Sequence, residues 1–159
     1  MNANDTLSQT LAKHLKSKSW MLALAESCTG GLMAETITRL PGSSQYFDCG
    51  VVSYSNDSKI KLLGVSPELL KEYGAVSQEV AMAMAQGLLE RSSAQIGLSI
   101  TGIAGPEGGS DTKPIGLVYF GLALRNTPPH YQEKHFQGDR QAIRNQAAHF
   151  ALEYLLSSL

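Results

Sequence analysis

The sequence predicts an α/β fold: a single three-layer α/β/α domain spanning residues 1–159, built on a mixed, mostly parallel sheet. Three observations carry this expectation. Segments with helical and strand periodicity mostly alternate along the chain, the pattern of helices covering both faces of one sheet. Two late strand segments follow each other with no helix between them, so the sheet is expected to be mixed. A length of 159 residues suits one hydrophobic core, because two halves would each sit near the lower size limit for stability.

The elements run in order along the chain. Leu7, Leu11 and Leu15 recur every four residues and mark one stripe of a first helix. Trp20 to Ala25 is a short continuous apolar run, as in a strand covered on both faces. It ends at Glu26-Ser27-Cys28-Thr29-Gly30-Gly31, after which Leu32, Thr36, Ile37 and Leu40 space as a second helix stopped by Pro41-Gly42. Asp48 to Tyr54 reads as a strand, and Asn56 to Leu63 as a short helix closed by Gly64. Ser66-Pro67-Glu68 is a cap with proline at the first helical position, ended by Gly74. Ser77 caps a longer helix with Val80, Met84 and Leu88 on one face. Gln95 to Thr101, Ile115 to Leu124 and Tyr131 to Phe136 complete the strands. Gly138-Asp139 opens a last helix striped by Ile143, Ala147, Phe150 and Tyr154.

Composition narrows the functional classes. Hydrophobic residues make up 43% and charged residues 17%, ample for a packed interior. The net charge of -1, with no Lys/Arg cluster, argues against a nucleic-acid partner. The longest near-apolar run, Ile115 to Leu124, is half of the roughly 20 residues a membrane span needs. Residues 1–10 are polar, with no apolar signal segment, so a soluble cytoplasmic protein is expected. Cys28 and Cys49 are too few for a disulfide framework and are expected to be reduced thiols. His14, His130, His135 and His149 are scattered without metal-ligand spacing, so no metal is expected.

Three segments are hard to explain by packing alone. At the first strand end, Ser27 is either a helix cap or a nucleophile whose oxyanion meets the unpaired N–H groups around Cys28 to Gly31. Cys28 is a rival nucleophile, since a helix N-terminus lowers a thiol pKa. The surroundings are not Gly-x-Ser-x-Gly, so a nucleophile elbow is not supported. The second segment is Tyr54-Ser55-Asn56-Asp57-Ser58-Lys59, with Lys61 close behind. A lysine serves as base only when neutral, and at an ordinary pKa roughly one in 2,500 is neutral at pH 7. Burial at a strand end would lower that pKa; a solvated surface group is the alternative. Two residues along a helix point roughly 200° apart, so only one of Lys59 and Lys61 can face a given site. The third segment is the glycine-rich stretch Gly102 to Gly109, either an anion-approaching loop or a structural turn, with neither dinucleotide-binding nor Walker spacing. Arg140 and Arg144 lie four apart at the start of the last helix, where an anion would meet the helix dipole or a solvated face would form.

Together these segments resemble the C-terminal domain of the competence-damage-inducible protein A (CinA) family, whose stand-alone members include nicotinamide-nucleotide amidases. The resemblance rests on Ala25-Glu26-Ser27-Cys28-Thr29-Gly30-Gly31, Tyr54-Ser55-Asn56 with Lys59, and Gly74-Ala75-Val76-Ser77. It continues through Thr101-Gly102-Ile103-Ala104-Gly105-Pro106 with Gly108-Gly109, and Gly138-Asp139-Arg140, in family order from Leu7 to Leu155. It implies hydrolysis of the carboxamide of nicotinamide mononucleotide to the acid and ammonia, with no cofactor. Ser27 would be the nucleophile, Lys59 its base and Tyr54 an assistant, with Thr101 and Arg140 as further site members. Thr29, Gly30 and Gly31 around the serine, and Gly102 and Gly105 in the loop, are the accompanying substrate-binding candidates. The alternatives are a non-catalytic nucleotide-binding or regulatory module and a serine amidase for another small amide. A small site bordered by loops is often completed by a second subunit, so a homodimer is the expected assembly.

Overall fold

A computed structural model of the chain describes residues 2–159. Its architecture is the three-layer α/β/α domain expected from the sequence. Helix α1 (Ala3–Lys18) leads into β1 (Leu22–Glu26), α2 (Leu32–Thr38) and β2 (Phe47–Val52). Helices α3 (Asn56–Leu63), α4 (Pro67–Tyr73) and α5 (Gln78–Glu90) then precede β3 (Ile96–Gly102), β4 (Leu117–Leu124), β5 (His130–His135) and α6 (Arg140–Ser157). The five strands form one sheet in the order β2-β1-β3-β4-β5. β1 is parallel to both β2 and β3, while β4 runs antiparallel to β3 and to β5.

Alternating side chains on the strands build two cores. Leu22, Leu24, Ile96, Leu98, Ile100, Phe120 and Leu122 face α1, α2 and α6, meeting Leu11, Leu15, Met33, Ile37, Ile143 and Leu152. The opposite face is made of smaller residues, with Ala23, Ala25 and Ala123 meeting Leu63, Leu70, Val80, Met84 and Leu88 of α3, α4 and α5. Small residues there let α5 lie close on the sheet. Ser99 Oγ donates to the Ala81 carbonyl at 2.6 Å and accepts from the Gly121 N–H at 3.1 Å. A Cβ at Gly121 would collide with that same carbonyl.

Local signals explain most helix boundaries. Ser55, Ser66, Ser77 and Asp139 each cap a helix by accepting a backbone N–H, and Pro67 occupies the first turn of α4. Strand ends shift by one or two residues from the sequence expectation, and the second helix differs more. The second helix stops at Thr38, so Leu40 lies beyond it, and a short 3-10 turn at Ser43–Gln45 comes next. The Pro41-Gly42 break accounts for both.

Chain order decides where the connections diverge. β1 hands over to α2 on one face, and β2 hands over to α3–α5 on the other. The segments leaving the C-terminal ends of β1, β2 and β3 therefore converge where neighbouring connections part, the usual place for a ligand crevice in such sheets.

Candidate active site

The three segments singled out in the sequence leave those three strand ends and meet there. A cavity of about 250 Å³ lies among them, lined by Ser27, Cys28, Tyr54, Lys59, Thr101, Gly102, Gly105, Glu107 and Arg140, among others. Ser27 comes directly after β1, and its N–H donates to the Ile100 carbonyl of β3 at 2.9 Å, continuing the strand ladder by one residue. Its Oγ lies 3.0 Å from Lys59 Nζ.

Lys59 is 1% exposed and stands among the largest fully buried side chains. It enters from α3, whose start is fixed by reciprocal bonds between Ser55 and Ser58 at 3.1 and 3.0 Å. Besides Ser27, Nζ donates to the carbonyls of Ser53 at 2.8 Å and Tyr54 at 3.2 Å. Burial pushes its pKa down to about 8, with Cys28 acting in the opposite direction. Lys61 points outward and pairs with Asp57 at 3.0 Å on the surface. The helical geometry thus selects Lys59 for the cavity.

The arrangement of donors has a chemical consequence. Two of the three neighbours of Nζ are carbonyls, which only accept. A neutral amine gives its two hydrogens to them and aims its lone pair at the Ser27 hydroxyl. A protonated amine donates its third hydrogen to Ser27 Oγ instead. A contact of this kind can pass one proton between a serine and a lysine.

Cys28 is the wrong candidate for a thiolate. Burial pushes its thiol up to about 12, despite its place at the start of the turn. Backbone hydrogen bonding still favours the thiolate there, but burial outweighs it, and the first donors of α2 are engaged elsewhere. The Glu26 carboxylate, 1% exposed, accepts from the N–H groups of Met33 and Ala34, each at 2.9 Å. The Leu32 N–H goes to the Thr29 carbonyl at 3.0 Å.

The same accounting refines the donors around Ser27. The Gly30 N–H is used by the Ser27 carbonyl at 3.1 Å, and Thr29 is fully buried. Neither Thr29, Gly30 nor Gly31 is among the cavity-lining residues. Cys28 does line the cavity, and among the described residues its N–H has no hydrogen bond to another residue.

Across the cavity, Arg140 donates to the Gly105 carbonyl at 2.7 Å and to the Tyr54 hydroxyl at 2.9 Å. The phenol oxygen accepts there and keeps its own hydrogen for another partner. Thr101 lines the wall but its Oγ1 donates away, to the Ala75 carbonyl at 2.9 Å. Arg144, by contrast, is not among the lining residues; it reaches the carbonyls of Cys28 and Thr29.

Sequence reasoning passed over Glu26 as a side chain with a task and did not weigh Glu107 at all. The signal for Glu26 was present: a carboxylate closing a fully apolar run must find buried donors. Glu107 sits in a polar loop and gave no such signal. Among the described residues there is no cluster of metal-ligating side chains, and no helix is long and apolar enough to cross a membrane.

Comparison with known proteins gives a consistent picture. A family model described as the CinA C-terminal domain matches residues 4–159. The chain is 49% identical over 150 residues to the nicotinamide-nucleotide amidohydrolase PncC of Enterobacter agglomerans, covering 94% of this chain and 92% of that one. It is 51% identical over 151 residues to a CinA-like protein of Acidobacterium capsulatum, covering 94% of this chain but 36% of that protein. The chain thus spans little more than a third of such longer relatives. Among solved structures, the competence/damage inducible protein CihA from Agrobacterium tumefaciens superposes with a TM-score of 0.95 at 40% identity, covering 99% of this chain and 96% of that one. A CinA superfamily protein from Klebsiella pneumoniae superposes with a TM-score of 0.92 at 36% identity, covering 97% and 96%.

Proposed function

The chain belongs to the CinA C-terminal domain family, and on that premise we propose that it is an amidohydrolase converting nicotinamide mononucleotide to nicotinate mononucleotide and ammonia. One observation carries the chemistry: a buried lysine with a lowered pKa lies 3.0 Å from a serine hydroxyl at the cavity wall. The substrate comes from likeness to the PncC amidohydrolase, which this chain matches over nearly its full length.

In this reading, neutral Lys59 takes the Ser27 proton as Oγ attacks the carboxamide carbon. The Cys28 N–H stabilises the oxyanion, a contribution of about 3–4 kcal/mol for one such donor. The tetrahedral intermediate collapses by breaking the C–N bond, and the protonated Lys59, assisted by Tyr54, supplies the proton that lets ammonia depart. Water then attacks the acyl-enzyme while Lys59 again accepts a proton. Ser27 is regenerated and the acid is released. Arg140 orients Tyr54 and brings positive charge to the cavity wall, suited to an anionic substrate. Thr101, Gly102 and Gly105 shape the opposite wall. No metal or organic cofactor enters any step.

The reading also places the protein in the cytoplasm, where the free thiols of Cys28 and Cys49 stay reduced. A homodimer belongs to it as well, and a solution mass twice that of one chain is the expected light-scattering result.

The test is turnover of nicotinamide mononucleotide with chelator present, following ammonia and the acid by chromatography. Product is expected, and the dephosphorylated riboside is expected to react poorly. Equal turnover of both would indicate a serine amidase of broader substrate range. Binding of the nucleotide without any product would overturn catalysis in favour of a binding module.

A further inference from the structure

The turn that carries Ser27 is gripped from outside the cavity. Its first and fourth residues are joined by the bond from the Gly30 N–H to the Ser27 carbonyl. Its two central residues, Cys28 and Thr29, turn their carbonyls toward α6. There Arg144 Nε donates to the Cys28 carbonyl at 3.2 Å and Nη2 donates to the Thr29 carbonyl at 2.8 Å. The third edge of the guanidinium is fixed by Nη1 donating to Gln141 Oε1 at 3.0 Å. A planar fork of this kind sets the directions of both peptides at once, which a single ammonium on a flexible stem does not. On the far side of the turn, Glu26 locks the first amides of α2. Arg140 and Arg144 are one helical turn apart, yet they serve different partners. Arg140 meets the cavity, and Arg144 meets only the backbone behind the nucleophile and a neighbour on its own helix.

We propose that Arg144 is a positioning residue for amide hydrolysis: it holds the turn so that Ser27 Oγ stays on Lys59 and the Cys28 N–H stays on the cavity. The inference rests on the amidase reading of the site. It also divides the arginine pair, since an anion-binding role for Arg144 requires a side chain that faces the cavity.

Arg144→Ala and Arg144→Lys, compared with wild type on nicotinamide mononucleotide, test it. A slackened turn misplaces the nucleophile, so kcat is expected to fall roughly 10- to 100-fold in Arg144→Ala. KM is expected to stay within about threefold of wild type, because ground-state binding is untouched. The pH limb set by Lys59 is expected not to move, since the carbonyls holding its amine belong to Ser53 and Tyr54. Added guanidinium ion is expected to restore part of the lost rate, and Arg144→Lys to lie between the other two proteins. A raised KM with unchanged kcat, seen for the nucleotide and not for its riboside, would overturn the proposal by making Arg144 a phosphate ligand. Unchanged kinetics would overturn it too. Hydrogen exchange at the Gly30 amide, read without substrate, gives an answer independent of turnover. Faster exchange in the variants is expected, and unchanged exchange contradicts the grip even if the wild type proves inactive on this substrate. If Arg144→Ala does not fold, Arg144→Lys carries both measurements.

Discussion

A lysine amine sealed behind a strand end, with two carbonyls and a hydroxyl for neighbours, loses much of its hydration and gains no carboxylate in exchange. Its neutral form is favoured, which is why the Lys59 pKa falls to about 8. At pH 7 about one molecule in ten then carries a neutral Lys59, against roughly one in 2,500 for an ordinary lysine. The rate is therefore expected to rise with pH and level off above a limb near 8, measured as kcat/KM across buffers. A limb near 10 would mean that the lysine is not desolvated. The same shift has a sign for stability. The unfolded chain keeps the proton up to the ordinary lysine pKa, whereas the folded chain releases it from about 8. Folding is thus penalised by roughly 3 kcal/mol below pH 8, and the penalty disappears as pH rises toward the ordinary value. The stability difference between Lys59→Met and wild type is expected to be largest below pH 8 and to shrink between there and about 10.5, read from denaturant melts at several pH values. The sequence made Lys59 and Lys61 equal candidates on spacing alone. The family resemblance favoured Lys59, and in the structure the buried face of α3 carries Lys59 and Leu63 while Lys61 stays in solvent, a difference set by how α3 packs on distant α5.

Scale matters differently for the elements. Caps and breakers are local, so Asn56–Leu63 with its Gly64 stop, the Ser66-Pro67 start and the Asp139 cap were all legible from a few residues. Long-range polar ties were not. Nothing near Glu26 in sequence says that its carboxylate will take the amides of Met33 and Ala34, and nothing near Arg144 says that it will reach back more than a hundred positions to Cys28. Glu26→Gln replaces one acceptor oxygen by an amide that opposes a backbone donor. A loss of about 1–3 kcal/mol is expected for the unsatisfied group, measured by thermal or denaturant unfolding. Activity should fall with it, because the turn bearing Ser27 follows directly after that residue. The seat of α5 on the sheet offers a contrast far from the chemistry. Gly121→Ala would drive a methyl group into the Ala81 carbonyl and is expected to cost about 1–3 kcal/mol of stability through overpacking. Its remaining folded fraction should keep an unaltered pH profile.

For the whole molecule, alternating periodicities gave the layered α/β class, and the two adjacent late strands gave the mixed sheet. The strand order β2-β1-β3-β4-β5 was beyond reach of pattern alone, since it depends on which face each connection crosses. That order is what brings the ends of β1, β2 and β3 together and turns three separated motifs into one cavity. Each motif read singly had an ordinary explanation: a helix cap, a surface lysine, a tight glycine turn. Their convergence removes those explanations for Ser27 and Lys59, whose side chains meet 32 positions apart in sequence.

The central claim is that Ser27 and Lys59 act as nucleophile and base, and the most direct measurement is kcat/KM on nicotinamide mononucleotide for Ser27→Ala, Lys59→Ala and Cys28→Ala, each confirmed folded. Losses on the order of 10³-fold or more are expected for the first two, as for removal of a nucleophile or its base, and a change within a few-fold for Cys28→Ala. Retention of most of the activity by Ser27→Ala, or its loss in Cys28→Ala alone, would contradict the account.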